Sequence, residues 1–307
     1  MNGLISINRI TNPSEALKYQ KLTFPKYISL LKDCNQPNVY IFGAVYTYNK
    51  RKISVALIVC INNTYNYFIS ELISIFVVTK YRRLGIGTKL FNTLRSVLRT
   101  VDCRQITTTF MDNLKETKQF VNWLKKQSWE KPIKKMDLFR AETKSLKNAE
   151  WFYLFQKLPN TYSIINWAKL TIDQRNNLLF KINNKSDSIP NDLNPFNFER
   201  IGHDGAKAYN ELCFALIYND EIVGWHISHL INKESIRFSC SYILSKIQNQ
   251  MLLLSLWVYA FNLISIDIKY VSWGVDTKHT KMSDFNIKYM KPYCIALHKS
   301  YFSKIYI

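Results

Sequence analysis

A short segment with two glycines and two arginines carries the clearest chemical signal in this sequence. It is the range Val77–Thr88, which reads VVTKYRRLGIGT and connects an apolar, strand-like run to an amphipathic helical pattern. Glycine permits a left-handed backbone and the close approach of a ligand. The first N–H groups of a helix have no partner within the helix and favour an anion. The segment therefore predicts a site for a phosphate or pyrophosphate group.

The spacing of these residues excludes two common phosphate-binding loops. There is no G-x-x-x-x-G-K-[ST] motif, and the third glycine and parallel β-α-β context of a dinucleotide fingerprint are missing. The segment instead resembles [Q/R]-x-x-G-x-[G/A], the acyl-CoA signature of the GCN5-related N-acetyltransferase (GNAT) superfamily. Arg82, Gly85 and Gly87 occupy its three defined positions. Val77 matches the valine of the preceding V-x-P, and Thr79 replaces the proline.

The resemblance covers residues 5 to about 140 and implies an acyl thioester as the donor substrate, acetyl-CoA or another acyl-CoA, with no metal. The pantetheine arm would hydrogen-bond along the strand, and the pyrophosphate would lie on backbone N–H groups of the loop. The donor-binding residues implied in this way are Phe76, Val77, Val78, Arg82, Arg83, Leu84, Gly85, Ile86, Gly87 and Thr88.

The sequence departs from the family in a second motif, N-x-x-A-x-x-F-Y-x-K-x-G-F, whose tyrosine commonly protonates the departing thiolate. Aligning Trp129 with the final aromatic places Leu124 at the tyrosine, Trp123 at the preceding aromatic and Ser128 at the glycine. Leucine cannot donate a proton. Another group or solvent must therefore do so, or the chemistry is altered.

Two carboxylates are candidates for the base that acyl transfer to an amine requires. Glu71 precedes the donor-site strand, where family members often hold a base, and Asp112 ends the next strand. Each has a structural alternative: an exposed strand-end charge for Glu71, and a helix cap with Asn113 for Asp112. Cys103 has no evident partner and is disfavoured as a nucleophile, because direct transfer is the rule in the family.

The second half of the chain offers two candidates for substrate binding. His226 lies on a predicted strand, and alternation puts it on the face opposite His229, so the two histidines are not a metal pair. Trp273 lies near a strand end equivalent to that of Asp112. The alternative for His226 is a satisfied core or surface histidine.

The elements that must position the donor loop follow the family's order. Runs of Val, Ile, Tyr and Phe between polar clusters predict strands, and helical spacing of apolar residues predicts helices. The predicted strands are Ile5–Ile10, Val39–Tyr48, Ile53–Ile61, Tyr67–Val78, Ile106–Phe110 and Ile133–Phe139, and the predicted helices lie in Pro13–Leu31, Thr88–Leu98 and Glu116–Lys126.

A similar order of elements recurs after a polar segment at Asn183–Phe198, which is predicted to be a loop. The predicted strands there are Leu212–Tyr218, Glu221–Ile231, Ile236–Leu244, Tyr270–Gly274 and Tyr293–Leu297, and the predicted helices are Gln248–Leu263 and Met282–Tyr289. The corresponding strand-to-helix junction, Ser241–Gln248, has no glycine and one cation. We therefore expect no pyrophosphate site in this half.

These patterns predict an α/β (α+β) protein of two GNAT-like domains, each a mixed, mostly antiparallel sheet flanked by helices. The length of 307 residues suits two domains. The first domain is predicted to span residues 1–145 and to carry the acyl-CoA loop. The second spans residues 146–307 and is degenerate, with the boundary between about 142 and 160.

Composition restricts the partners and the compartment. The net charge of +20 indicates either a solvated basic surface or an acidic partner. The six cysteines include no closely spaced pair, which indicates reduced thiols and a cytoplasmic location. No signal peptide is visible, and the longest apolar stretch, Met251–Ile264, is too short to span a membrane.

The predicted function is an acyl-CoA-dependent N-acyltransferase, in the first place an N-acetyltransferase, acting by direct transfer. The acceptor would be a primary amine on a small molecule, peptide or protein. Three alternatives stay open: a longer acyl group from acyl-CoA or an acidic acyl-carrier protein, acyl-CoA sensing without turnover, and binding of RNA or another polyanion. Nucleic acid is disfavoured because no RNA-binding signature is present. The sequence determines neither the acceptor nor the oligomeric state.

Overall fold

A computed structural model describes residues 3–63, 66–184, 188–199 and 206–307. The chain divides into two compact units. The first comprises Met1–Lys135 together with Lys299–Ile307, and the second comprises Met136–His298.

The first unit is a mixed sheet with helices on both faces. Its neighbouring strands follow the order β1-β2-β3-β4-β5, and the end of β13, from Lys299 onward, pairs with β5. The pairs are antiparallel except for β4 with β5, which is parallel. The strands are β1 (Leu4–Arg9), β2 (Val39–Tyr48), β3 (Arg51–Asn62), β4 (Ile69–Val77), β5 (Gln105–Met111) and β13 (Cys294–Tyr306), and the helices are α1 (Pro13–Ala16), α2 (Ile28–Lys32), α3 (Ile86–Arg99) and α4 (Thr117–Lys126).

Helix α3 forms because its apolar residues recur at helical spacing and cover one face of this sheet. The buried residues of α3 are Ile86, Leu90, Phe91, Leu94 and Leu98. Burial of one such large side chain contributes about 1.5–3 kcal/mol. The short helices α1 and α2 cover the opposite face through Ala16 and Leu31. The strand that leads into α3 is therefore held from both sides.

The second unit repeats this plan with a sheet in the order β6-β12-β11-β10-β9-β7, and β8 pairs with β10. The pair β11–β12 is parallel, and the other pairs of this order are antiparallel. The strands are β6 (Ile133–Glu142), β7 (Ser163–Asn166), β8 (Lys207–Ala208), β9 (Phe214–Tyr218), β10 (Glu221–Asn232), β11 (Ser235–Ile243) and β12 (Tyr270–Asp276), and the helices are α5 (Thr143–Lys147), α6 (Glu150–Leu154), α7 (Ile172–Asn183), α8 (Leu252–Leu263) and α9 (Thr280–Phe285).

These sheets and helices confirm the predicted fold class, but the compact units do not divide where the sequence suggested. The division falls between Lys135 and Met136, and the last nine residues belong to the first unit. Backbone pairing is the physical reason. Met136–Glu142 pairs with β12, whereas Ser300–Tyr306 pairs with β5. Strand β7 and helix α7 were not predicted from the sequence.

Among the described residues, no helix combines the length and apolar character needed to cross a lipid bilayer.

Candidate functional site

The central feature of the first unit is a gap that opens between two parallel strands. Strands β4 and β5 pair only from Ile69 with Gln105 to Glu71 with Thr107. Beyond this point the side-chain hydroxyl of Thr108 donates to the carbonyl of Leu72 at 3.0 Å. No further backbone pair joins the two strands in the described part of the chain. The backbone edge of β4 is therefore free towards the gap.

A β-bulge in β4 turns the strand as it enters the gap. Val59 of β3 pairs with Ser74 and Cys60 pairs with Leu72, so Ile73 is the extra residue. A bulge shifts the alternation of side chains by one position. Leu72 lies in the core on the α3 side, and Ile75 packs on that same side, which normal alternation would not allow. The bulge thus directs the odd-numbered side chains after it towards α3.

Gly85 sets the geometry of the loop that follows β4. It is the N-cap of α3 and has φ +74° and ψ 2°, a left-handed conformation that favours glycine. A Cβ at this position would have no atom within 4 Å, so the requirement is conformational rather than steric. Gly85 offers no side chain to cap the helix, which leaves the first N–H groups of α3 available.

The first turn of α3 is the candidate anion site. The N–H of Lys89 donates to the carbonyl of Gly85 at 2.9 Å, so Ile86, Gly87 and Thr88 precede the first intrahelical bond of this kind. Their N–H groups lie at the positive end of the helix dipole. Arg83 is exposed beside them and has φ +68°. The arrangement suits a phosphate or pyrophosphate, and the binding of such a group stays a prediction.

Arg82 shapes the loop from within. Its Nε donates to the carbonyl of Val77 at 2.9 Å, and its Nη2 lies 3.5 Å from a carboxylate oxygen of Glu116. Its guanidinium also lies 5.6 Å from the ring centroid of Phe76. One arginine therefore ties the end of β4 to the start of α4. Arg82 therefore has a structural role in the loop in addition to its positive charge.

The two aromatic positions of α4 have different environments. Leu124, at the family's tyrosine position, is 0% exposed in the core and can form no hydrogen bond with a ligand. Trp123 is only partly buried, yet its indole Nε1 is enclosed and has no hydrogen-bond partner among the described residues. An unsatisfied buried donor costs about 1–3 kcal/mol. Ser128 has φ +61°, a backbone that suits the glycine of the family motif.

Glu71 lies at the closed end of the gap. It is the last β4 residue to pair with β5, and it precedes the bulge. Its side chain is exposed, but desolvation by nearby groups raises the pKa of its carboxyl from the ordinary value. The positive charges of Lys135 and Lys26 oppose this rise. A carboxylate with a raised pKa is suited to accept a proton near neutral pH.

Asp112 and Cys103 have structural roles in the first unit. A carboxylate oxygen of Asp112 accepts a hydrogen bond from the N–H of Lys299 at 2.9 Å, and the N–H of Asp112 donates to the carbonyl of Lys299. Asp112 is five residues beyond Thr107, about 17 Å along the strand, so it is not brought together with Glu71. The thiol of Cys103 is buried 3.2 Å from the hydroxyl of Ser70.

The second unit keeps the loop geometry but lacks the glycine. Met251 is the N-cap of α8 with φ +57°, the conformation that Gly85 has before α3. A non-glycine residue in this conformation costs about 1–2 kcal/mol. The junction of strand and helix thus ends at Met251, three residues later than predicted. The structure supports a shared plan for the two halves.

The gap of the second unit is filled by its own side chains. Strands β11 and β12 pair from Ser235 with Tyr270 to Phe238 with Trp273. Beyond that point, the indole N–H of Trp257 donates to the hydroxyl of Ser241 at 3.1 Å, and its ring lies 5.8 Å from that of Trp273. The aromatic rings occupy the space next to β11 that a ligand arm would need. The predicted lack of a pyrophosphate site in this half stays a prediction.

His226 and Trp273, which the sequence suggested as substrate-binding residues, lie in the core of the second unit. His226 is 0% exposed, and its two ring nitrogens lie 2.8 Å from the hydroxyls of Ser241 and Ser228. Trp273 is 4% exposed, and its N–H donates to Asn286 at 2.6 Å. Neither side chain is open to a substrate in this structure, and we do not include them in the site.

The sequence contains no indication that the indole N–H of Trp123 is enclosed without a partner among the described residues. Only the helix phase and the neighbouring strand show which atom points where. In the part of the chain that the structure describes, no group of three His, Cys, Asp or Glu residues is placed to hold a metal ion.

Most of the first unit is similar to a known protein family. Residues 6–120 match the sequence model of the family described as "Acetyltransferase (GNAT) family". No curated protein matches the chain.

Several solved structures share the fold of the whole chain. A tandem GNAT protein from the clavulanic acid biosynthesis pathway, without AcCoA, is 11% identical with a TM-score of 0.64, covering 99% of this chain and 98% of that chain. A GCN5-related N-acetyltransferase from Sphaerobacter thermophilus is 11% identical with a TM-score of 0.60, covering 98% and 95%. The glucosamine N-acetyltransferase region of a fungal multi-domain GH3 β-N-acetylglucosaminidase is 10% identical with a TM-score of 0.65, covering 99% and 38%. At these identities the likeness concerns the fold, and it confirms the predicted tandem GNAT arrangement.

The two glycines of the loop should respond oppositely to the same substitution. Gly85→Ala should lower the free energy of unfolding by about 1–2 kcal/mol, because alanine resists φ +74°. Gly87→Ala should raise it by about 0.5–1 kcal/mol, because residue 87 is helical and a Cβ there meets its neighbours at an ordinary 3.7–3.8 Å. Urea denaturation of the two variants measures both effects. Equal effects would contradict the conformational argument.

The buried His226 should make the protein sensitive to acid. Desolvation lowers the pKa of His226 from 6.5 to about 3. Between these values the unfolded state binds a proton that the folded state does not, so the free energy of unfolding should fall as pH falls below 6.5. The slope due to this group approaches about 1.4 kcal/mol per pH unit. In urea denaturation between pH 7 and 4.5, His226→Asn should lose this component. An unchanged slope would contradict the burial of a neutral imidazole.

Proposed function

We propose that this chain is an acyl-CoA-dependent N-acyltransferase, because residues 6–120 match the GNAT acetyltransferase family model and the whole chain has the fold of tandem GNAT proteins. One observation carries the proposal: a free strand edge and an uncapped helix N-terminus meet at the same loop. The first unit would hold the donor, and the second would not.

The donor thioester fits the gap by its chemistry. The N–H of Val78 donates to Val55 of β3 at 2.9 Å, so alternation turns the N–H groups of Val77 and Ile75 towards the gap. A pantetheine arm carries amides that can pair with such an edge. Its pyrophosphate would lie on the first turn of α3, between Arg83 and Thr88. The enclosed N–H of Trp123, which lies near the side chains of Val77 and Ile75, would be a further donor.

The chemistry we propose is direct transfer. A neutral primary amine attacks the thioester carbonyl carbon and forms a tetrahedral intermediate, whose oxyanion accepts a hydrogen bond from a backbone N–H of β4. Collapse of the intermediate breaks the C–S bond and releases the thiolate, which takes a proton from solvent because Leu124 is apolar. Glu71 accepts the proton lost by the amine, directly or through water. The products are an amide and the free thiol.

The acceptor, the acyl chain and the carrier are finer parts of the proposal. Acetyl-CoA is the first candidate donor, because the family is named for acetyl transfer. A primary amine is the acceptor class that this chemistry requires. No residue of the described chain assigns a particular acceptor.

Thr88→Glu tests the donor site without damaging the helix. A carboxylate in the first turn stabilises a helix by about 0.3–1 kcal/mol, so the fold should be retained. The same charge would repel a pyrophosphate there and should weaken the binding of CoA at least about a hundredfold. Calorimetry and thermal shift with CoA, acetyl-CoA, longer acyl-CoAs and a phosphopantetheinylated carrier protein measure the effect and rank the donors.

Asn92→Glu is the matched control for this test. It adds the same charge to an exposed position of the same helix, one that lies beyond the loop. CoA affinity should stay within about twofold of the wild type, because exposed charges at this distance are largely screened. The donor assignment fails if the two variants bind CoA alike, or if the wild type is stabilised by none of the donors.

Glu71→Gln tests the proposed base. We expect kcat/KM to fall by about a hundredfold or more, in the range typical of general base catalysis. In the wild type, activity should fall as pH decreases through the pKa of Glu71, which lies above the ordinary 4.5. The variant should lack this acid limb. Asp112→Asn should keep it, even if stability decreases, because Asp112 pairs with the backbone of Lys299. An acid limb retained in Glu71→Gln would exclude this residue as the base.

A further inference from the structure

The indole N–H of Trp123 is enclosed near the first turn of α3 and has no hydrogen-bond partner among the described residues. Tryptophan is a donor only, so an acceptor is the one kind of group that can satisfy it. Buried polar groups in folded proteins are nearly always paired, and an exception calls for an explanation.

The position of this N–H is defined by Gly87 and β4. A Cβ on Gly87 would lie 3.8 Å from Nε1 of Trp123, 3.7 Å from Cγ2 of Val77 and 3.8 Å from Cδ1 of Ile75. The three side chains therefore surround one point in front of the first turn of α3. A carbon atom fits at this point at ordinary contact distances.

The ring of Trp123 is held in this orientation by other aromatic rings. It stacks on Phe120 at 5.8 Å between centroids and 17° between planes. It also meets Phe91 of α3 edge to face at 5.3 Å. Because two rings hold the indole, the direction of its N–H is already fixed. The side chain would therefore lose little conformational entropy when a ligand binds to it.

Two other buried indoles lack partners in the described chain, which provides a comparison. Trp129 packs against Phe91 at 5.7 Å within the core, and Trp151 belongs to the second unit. Neither is among the atoms nearest the point in front of Gly87. The lack of a partner does not by itself distinguish Trp123 from these two residues. Trp123 differs because its N–H also lies near Val77 and Ile75, which belong to the part of β4 whose backbone edge does not pair with β5.

We propose that Trp123 Nε1–H binds the pantetheine arm of the acyl donor by donating a hydrogen bond to one of its carbonyl oxygens. This rests on the proposed function and adds a specific residue to it. Leu124, the neighbour at the family's tyrosine position, is 0% exposed and apolar, so α4 contributes its polar contact one position earlier. An indole N–H does not ionise near neutral pH, so Trp123 binds and orients the donor and does not protonate the thiolate.

Trp123→Phe tests this inference, with two ligands measured by calorimetry. CoA contains the pantetheine arm, and adenosine 3′-phosphate 5′-diphosphate contains the nucleotide and both 5′ phosphates without the arm. We expect the variant to bind CoA about five- to tenfold more weakly than the wild type, the effect of one lost hydrogen bond. Its affinity for the armless nucleotide should be unchanged, which a merely structural role would not produce.

Trp129→Phe is the matched control, because it deletes an equally buried, unpartnered N–H near the same helix. It should leave both affinities unchanged. Three results would overturn the inference: an unchanged CoA affinity in Trp123→Phe, an equal loss for both ligands, or the same loss in Trp129→Phe. If the wild type binds neither ligand, the proposed function fails as well. Wild-type binding with an unaffected Trp123→Phe variant removes the inference alone.

Discussion

The early separation of β4 from β5 is the constraint on which the rest of the first unit depends. Backbone N–H and C=O groups require partners, and a sheet normally supplies them. Here the pairing ends at Glu71 and Thr107, while β4 continues to Val77. The strand edge beyond Glu71 is then available to a ligand whose own amides can take the place of a strand. The bulge at Ile73 and the bond from Arg82 to Val77 hold β4 in this course.

The two units show how one architecture can hold a ligand site or close it. Both have a parallel pair that separates, and both begin the following helix from a left-handed residue, Gly85 or Met251. In the first unit the residue has no side chain and the adjacent N–H groups are accessible. In the second, Trp257 bonds to Ser241 and packs against the next strand, so the same space contributes to the core.

In helix α4, the environment of a side chain depends on the direction in which it leaves the helix. Residues 123 and 124 are neighbours in sequence but about 100° apart around the helix. Leu124 is therefore fully buried in the core, and the indole N–H of Trp123 lies near Gly87 in the first turn of α3. Alignment with the family motif alone would place the proton donor at position 124, which is occupied by Leu124. The structure instead shows an enclosed N–H without a partner among the described residues at the adjacent Trp123, which is the group that we propose binds the donor.

The sequence by itself determined the local elements and the loop. Apolar periodicity placed β2 at Val39–Tyr48 and α3 within two residues of its ends, and glycine spacing predicted an anion site in the loop before α3, because these depend on neighbours along the chain. The sequence could not determine with which strands the last strand of the chain pairs. Ser300–Tyr306 pairs with β5, a contact between distant parts of the chain that leaves no local pattern. The burial of His226, the role of Asp112 in holding Lys299 and the direction of the Trp123 N–H were also decided only by tertiary packing. Residue type and spacing show what a side chain can do, and the packing of distant elements decides what it meets.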